Sequence, residues 1–105
     1  MTDPLIRYLD DRSPKNFNLL VKETSEVLLT TTYRYLGQRE LAEDATQEVF
    51  IKLLNRDWPE KPIRNGLGFL ISTALQQAKT LLRGERRRVE REQRAAKVEL
   101  VTQQE

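Results

Sequence analysis

Cysteine and histidine are both absent from the 105-residue sequence. Their absence excludes disulfides, Cys/His zinc sites, thiol nucleophiles and imidazole general bases. No apolar run approaches the ~18–20 residues that a membrane span needs. The segment Met1 to Asp11 carries acids and no continuous apolar stretch, so it does not read as a signal peptide. A cytoplasmic protein without membrane contact is the simplest expectation. Glycine and proline number four each, too few for a loop-rich β fold or a disordered linker. Hydrophobic residues reach only 38%, against about 45–50% in an average globular chain. The core is therefore small, and a large enclosed active-site cavity is not expected. The length suits a single domain.

What is present is charge, unevenly spread. Residues 1–82 hold eleven bases and eleven acids, whereas residues 83–105 hold seven bases and five acids. The whole net charge of +2 thus lies in the tail. Within it Arg83, Arg86, Arg87, Arg88, Arg91 and Arg94 are interspersed with Glu85, Glu90 and Glu92. Such a cluster suits phosphate contact. Three- and four-residue pairing of the same acids and bases equally suits a solvated helix end.

Periodicity predicts helices only. Asp3-Pro4 reads as a cap and first turn, opening a short helix to about Asp11. Ser13-Pro14 repeats that signal, and Phe17, Leu20, Val21, Thr24, Leu28, Thr31 and Tyr35 then recur on one helical face. Gly37 ends this second helix. The third starts near Gln38 and presents Leu41, Ala42, Ala45, Val49, Phe50, Leu53 and Leu54 inward, until Asp57-Trp58-Pro59 breaks it. A loop follows to Gly66. Asn65 caps the last helix, whose apolar positions are Leu67, Leu70, Ile71, Ala74, Ala78, Leu81 and Leu82. Apolar periodicity fades after Leu82. The expectation is an all-α fold: a small three-helix bundle with a short N-terminal leader helix and a basic C-terminal helix extension. Residues 1–94 read as one helical domain and residues 95–105 as a linker-like or disordered tail. Trp58 either covers an end of the bundle or is partly exposed in the loop.

The outer side of the third helix presents Asp44, Gln47, Glu48, Ile51 and Asn55. Asp and Glu are ordinary on a solvated face. Ile51 among them also fits an apolar centre with a polar rim, the anatomy of a partner-binding patch.

The run Leu41-Ala42-Glu43-Asp44-Ala45-Thr46-Gln47-Glu48-Val49-Phe50-Ile51-Lys52-Leu53 resembles the second conserved region of bacterial sigma factors. The likeness is to the extracytoplasmic-function group in particular, which typically reads A-E-D-x-x-Q-E-V-F-x-x-L here. Ala42, Glu43, Asp44, Gln47, Glu48, Val49, Phe50 and Leu53 match. Phe69-Leu70 and Arg83 with Arg86-Arg87-Arg88 resemble the family's downstream features, so the likeness covers roughly Asn16 to Arg94. It implies a promoter-recognition and promoter-melting domain that works by binding, with no cofactor. Asp44, Gln47, Glu48 and Ile51 would dock on the clamp coiled coil of the RNA polymerase core. Trp58, Lys61, Arg64 and Asn65 in the loop, with Thr73, Gln76, Lys79, Thr80, Arg83 and Arg87 on the last helix, would contact promoter DNA. The DNA is mainly the non-template strand of the minus-ten element. Anti-sigma factors are a further partner class that the resemblance implies.

Three positions depart from the family: Phe69 stands where Trp is usual, Gln76 where Asn is, and Thr80 where Asp is. The last two lie on the implied DNA face, so polymerase docking is the better-preserved half of the likeness. The family's helix-turn-helix domain is not expected here, because eleven residues after Arg94 cannot build it. Two other classes remain. A helical adaptor would use the Asp44/Gln47/Ile51 face on another protein and leave DNA alone. An enzyme would have to rely on Glu43, Asp44 and Glu48. Asp44 and Glu48 point outward on one helix with no second carboxylate helix opposite, so no enzymatic activity is expected.

Overall fold

The computed structural model describes residues 3–56, 58 and 62–103. Four helices follow one another: α1 (Pro4–Asp10), α2 (Pro14–Leu36), α3 (Arg39–Asn55) and α4 (Gly66–Gln103). Among the described residues there is no strand. The starts of α1, α2 and α4 and the end of α2 have a local cause. The Asp3 carboxylate accepts from the Leu5 and Ile6 amides at 3.0 and 3.3 Å, and Pro4 occupies the first turn. Ser13 Oγ accepts from the Asn16 amide at 3.2 Å ahead of Pro14. Gly37 ends α2 in the left-handed region at φ 72°, and its amide donates to the Tyr33 carbonyl at 2.8 Å. Asn65 Oδ1 accepts from the Gly68 amide at 2.9 Å at the start of α4.

The three long helices pack on one another, with α1 laid across α2 and α4. Leu5 and Tyr8 of α1, Leu20 and Leu28 of α2, Val49, Phe50 and Leu53 of α3, and Leu70 and Ala74 of α4 form the main core. Tyr8, Phe17 and Phe50 meet edge to face, with centroids 5.5 and 6.4 Å apart. A smaller cluster of Leu36, Ala45 and Ala78 closes the other end. The start of α4 approaches α1 closely: the Gly66 amide donates to Asp3 Oδ2 at 2.9 Å. A Cβ on Gly66 would lie 2.8 Å from Leu5 Cβ, so only glycine fits there.

Four expectations from periodicity change. On α2 the buried row is Leu20, Thr24, Leu28, Thr32 and Leu36, in place of a row ending at Thr31 and Tyr35. Steps of four throughout follow the ridge that packs against neighbouring helices, and this leaves Tyr35 42% exposed. Burial of Thr32 is tolerated because its hydroxyl lies 2.9 Å from the Leu28 carbonyl and 3.3 Å from Thr46 Oγ1. Leu54 of α3 is not inward but 55% exposed, and Leu67 of α4 is also exposed. Finally, α4 does not fray after Arg94; it continues to Gln103. Beyond Gly84 this segment has neither glycine nor proline. It is rich in strong helix formers, and Arg88 pairs with both Glu85 and Glu92 across one turn. The result is an elongated molecule of 68 × 25 × 22 Å, with the end of α4 standing clear of the bundle.

Candidate functional site

Two faces of α3 adjoin in three dimensions, and Ile51 lies on the edge they share. Asp44, Gln47 and Ile51 are exposed on the side away from the core. Leu54 extends this row at the same three- and four-residue steps, so Ile51 and Leu54, 49% and 55% exposed, form its apolar centre. Glu48 departs from the predicted set. It is half-buried and turns toward α4, because it lies one helical turn from Lys52 on the flank facing that helix.

Between that flank and α4 runs an open groove of about 910 Å³. From α3 and its end it receives Glu48, Ile51, Lys52, Asn55 and Arg56. Its α4 wall is Thr73, Gln76, Gln77, Lys79, Thr80 and Arg83. Five of the six α4 residues predicted to meet DNA are therefore brought together, and Arg87 lies exposed one turn further along the same helix. Lys52 Nζ donates to Gln77 Oε1 at 2.6 Å across the groove, tying the two walls. Lys52, Arg56, Lys79 and Arg83 face a single acid, Glu48, so the groove is cationic. The Thr73 and Thr80 hydroxyls donate to the Phe69 and Gln76 carbonyls at 2.9 and 3.1 Å. With those protons engaged, the two oxygens offer lone pairs outward as acceptors.

The loop residues divide. Trp58 is half-buried, packed against the core and 5.8 Å from the Phe69 ring. The Arg56 guanidinium stands over both rings, at 5.1 and 4.8 Å from their centroids, and Arg12 is 6.0 Å from Trp58. The indole thus covers an end of the bundle while sitting beneath two cations. Arg64 and Asn65 are exposed. Asn65 spends its side-chain oxygen on the helix cap, which leaves only its amide NH₂ for a ligand. Lys61 lies outside the described residues. Among the described residues no group of three or more acidic side chains is placed to hold a metal ion. No described helix is long and apolar enough to cross a membrane.

Residues 20–88, more than half of the chain, match the family model described as Sigma-70 region 2. The chain belongs to the Sigma-70 region 2 family. Neither a curated protein nor a solved structure matches it. Membership gives this sigma-factor domain a role in transcription initiation, with RNA polymerase and promoter DNA as its partner classes. The family is one of non-enzymatic transcription-factor domains. The match spans most of α2, then α3, the loop and the first part of α4, which together carry both surfaces just described.

Four residues of this sigma-factor domain's surfaces escaped sequence reasoning. Leu54 was assigned to the core, although the steps 44, 47, 51 and 54 already place it on the outer row. Lys52, Arg56 and Gln77 reach the groove only through the register of α3 against α4, which no single-helix pattern contains.

Proposed function

We propose that this domain docks on the clamp coiled coil of RNA polymerase through the outer row of α3. The groove and the loop then hold the melted non-template strand of the minus-ten element. The observation that carries this reading is the division of labour on α3. One flank is an apolar centre of Ile51 and Leu54 rimmed by Asp44 and Gln47, which suits a protein partner. The other flank closes a cationic groove that suits a phosphate backbone and unstacked bases. The two flanks meet at Ile51, so the two ligands would sit side by side on α3.

Melting follows from differential affinity. Groove and loop groups engage bases that are exposed only in the open strand, so binding shifts the duplex toward the open state. Gln76 and the outward lone pairs of Thr73 and Thr80 supply hydrogen-bonding partners for base edges, while Lys79 and Arg83 supply backbone contacts. Trp58 is half-buried beneath Arg56, which lines the end of the groove, and this cation–aromatic pair offers an unstacked base a partly exposed surface. The motif on α3 supports placement in the extracytoplasmic-function group. Such a domain acts in the cytoplasm, and an anti-sigma factor would mask the same α3 row.

The test is capture of the purified domain by the clamp coiled coil, wild type beside Asp44→Arg. Binding that the reversed charge abolishes, with an unchanged thermal melt, supports the docking face. Equal capture of both proteins would remove it.

A further inference from the structure

The arginines of α4 are not equivalent, and their division extends the DNA face beyond the groove. Arg88 is consumed: it pairs with Glu85 and, at 2.6 Å, with Glu92. Those acids pull the Arg88 pKa above its ordinary value, and Arg88 in turn holds the Glu85 carboxyl below the usual carboxylate range. All three side chains lie on one side of the helix. Further round the helix, Thr73, Gln76, Thr80, Arg83, Arg87, Arg91 and Arg94 follow one another at steps of three and four. The row runs unbroken from the groove wall into the free-standing end of α4.

Arg83, Arg87, Arg91 and Arg94 make no ion pair among the described residues. Arg86 and Lys97 flank the row, and Glu90 is the one acid beside it. At about 1.5 Å per residue, Arg83 to Arg94 covers about 16 Å of helix. That equals the axial rise of about five phosphates on one strand. The last two members of the row, Arg91 and Arg94, lie beyond the residues that match the family model.

We propose that this arginine row is a phosphate-binding arm: it lies along the duplex adjoining the melted segment and adds sequence-independent affinity. The inference rests on the groove of the same helix being the single-strand site. Three features favour DNA over an acidic protein. The row is continuous with that groove, it contains almost no apolar residue between Arg83 and Arg94, and its charges are spread along a line instead of clustered at a point.

The experiment compares Arg91→Gln, Arg94→Gln and Arg88→Gln, each removing one charge from the same helix. Fluorescence anisotropy on a labelled duplex of arbitrary sequence, across a salt series, gives the slope of log K against log salt. Arg91→Gln and Arg94→Gln are expected to flatten that slope by about 0.9 each, one phosphate contact per residue. Arg88→Gln leaves it unchanged. Equal slopes for wild type and the two outer variants would overturn the arm, and so would an equal loss in Arg88→Gln. Binding to phosphatidylserine vesicles is run alongside; outer variants that lose vesicle binding but keep the duplex slope would overturn the DNA assignment in favour of a lipid surface. Wild-type affinity for a single-stranded minus-ten oligonucleotide separates the two levels. If it persists while the duplex slope is insensitive to Arg91 and Arg94, only the arm fails. If the wild type binds neither DNA, the groove reading fails with it.

Discussion

Leu53 and Leu54 are neighbours in sequence and opposites in environment, so the same truncation at each must give opposite results. Leu53 is 1% exposed in the main core. Leu53→Ala removes buried methylenes and leaves a cavity, costing about 2–5 kcal/mol. For a domain of this size that corresponds to a fall in Tm of at least about 8 °C. Leu54 is 55% exposed, so Leu54→Ala changes stability by no more than about 0.5 kcal/mol. Its effect appears on binding. Full burial of a leucine or isoleucine is worth about 1.5–3 kcal/mol, and about half of each side chain remains to be buried by a partner at Leu54 and Ile51. The double variant Ile51→Ala with Leu54→Ala should therefore lose about 2 kcal/mol against the clamp coiled coil, roughly a 30-fold rise in Kd. Thermal melts followed by circular dichroism and calorimetric titration with the clamp fragment measure the two quantities. A double variant that melts like the parent and binds like the parent would refute the assignment of this row as the docking face. A destabilised Leu54→Ala would refute its outward placement.

Three further outcomes follow from particular contacts. Gly66→Ala forces a methyl group against Leu5 and displaces the Asp3 carboxylate that caps α1; overpacking and a lost cap together cost about 2–4 kcal/mol, read as a lower midpoint in urea, and an unchanged midpoint would mean that α1 is not seated there. Gly84→Ala meets no neighbour within 4 Å, so it should raise the helix content of the α4 extension by removing a penalty of about 1 kcal/mol, and loss of far-UV helix signal would contradict a continuous helix. The Glu85 carboxyl titrates below the ordinary range because Arg88 donates to it. Its support for the helix is therefore present above the ordinary carboxylate pKa and is lost as pH falls through the depressed folded value. Arg88→Ala should return the Glu85 titration, followed by carboxyl NMR shifts, to the ordinary range, whereas an unmoved titration would show that the pair is not formed in solution.

The sequence carried the starts of α1, α2 and α4 and the end of α2 well, because these are set by residues within one turn. Asp3-Pro4, Ser13-Pro14, Gly37 and Asn65 act where their local chemistry predicts. The inner faces of α2 and α3 were legible in their first turns and drifted toward the ends. Period alone does not separate a row ending at Thr31 and Tyr35 from one ending at Thr32 and Leu36. The choice depends on where α3 crosses α2, and there the Thr32 and Thr46 hydroxyls come within 3.3 Å. The site was legible by face and illegible by register. Thr73, Gln76, Lys79, Thr80 and Arg83 were identified from one helix alone. Lys52, Arg56 and Gln77 join them only because α3 packs beside α4, and that packing moves Glu48 from the docking row to the groove. The length of α4 was underestimated because apolar periodicity ends at Leu82, although a helix that packs on nothing needs no apolar stripe. Helix-forming residues and the Arg88 pairs hold it to Gln103.

The central claim is that one small bundle offers two partners two adjoining faces. Backbone amide shifts of the isotope-labelled chain measure this most directly, as the clamp coiled coil and then a single-stranded minus-ten oligonucleotide are added. The account predicts that the first ligand moves the amides around Asp44, Gln47, Ile51 and Leu54. The second should move those around Gln76, Thr80, Arg83 and Arg87 with the first still bound. Displacement of one ligand by the other, or a single shared set of shifted amides, would contradict it.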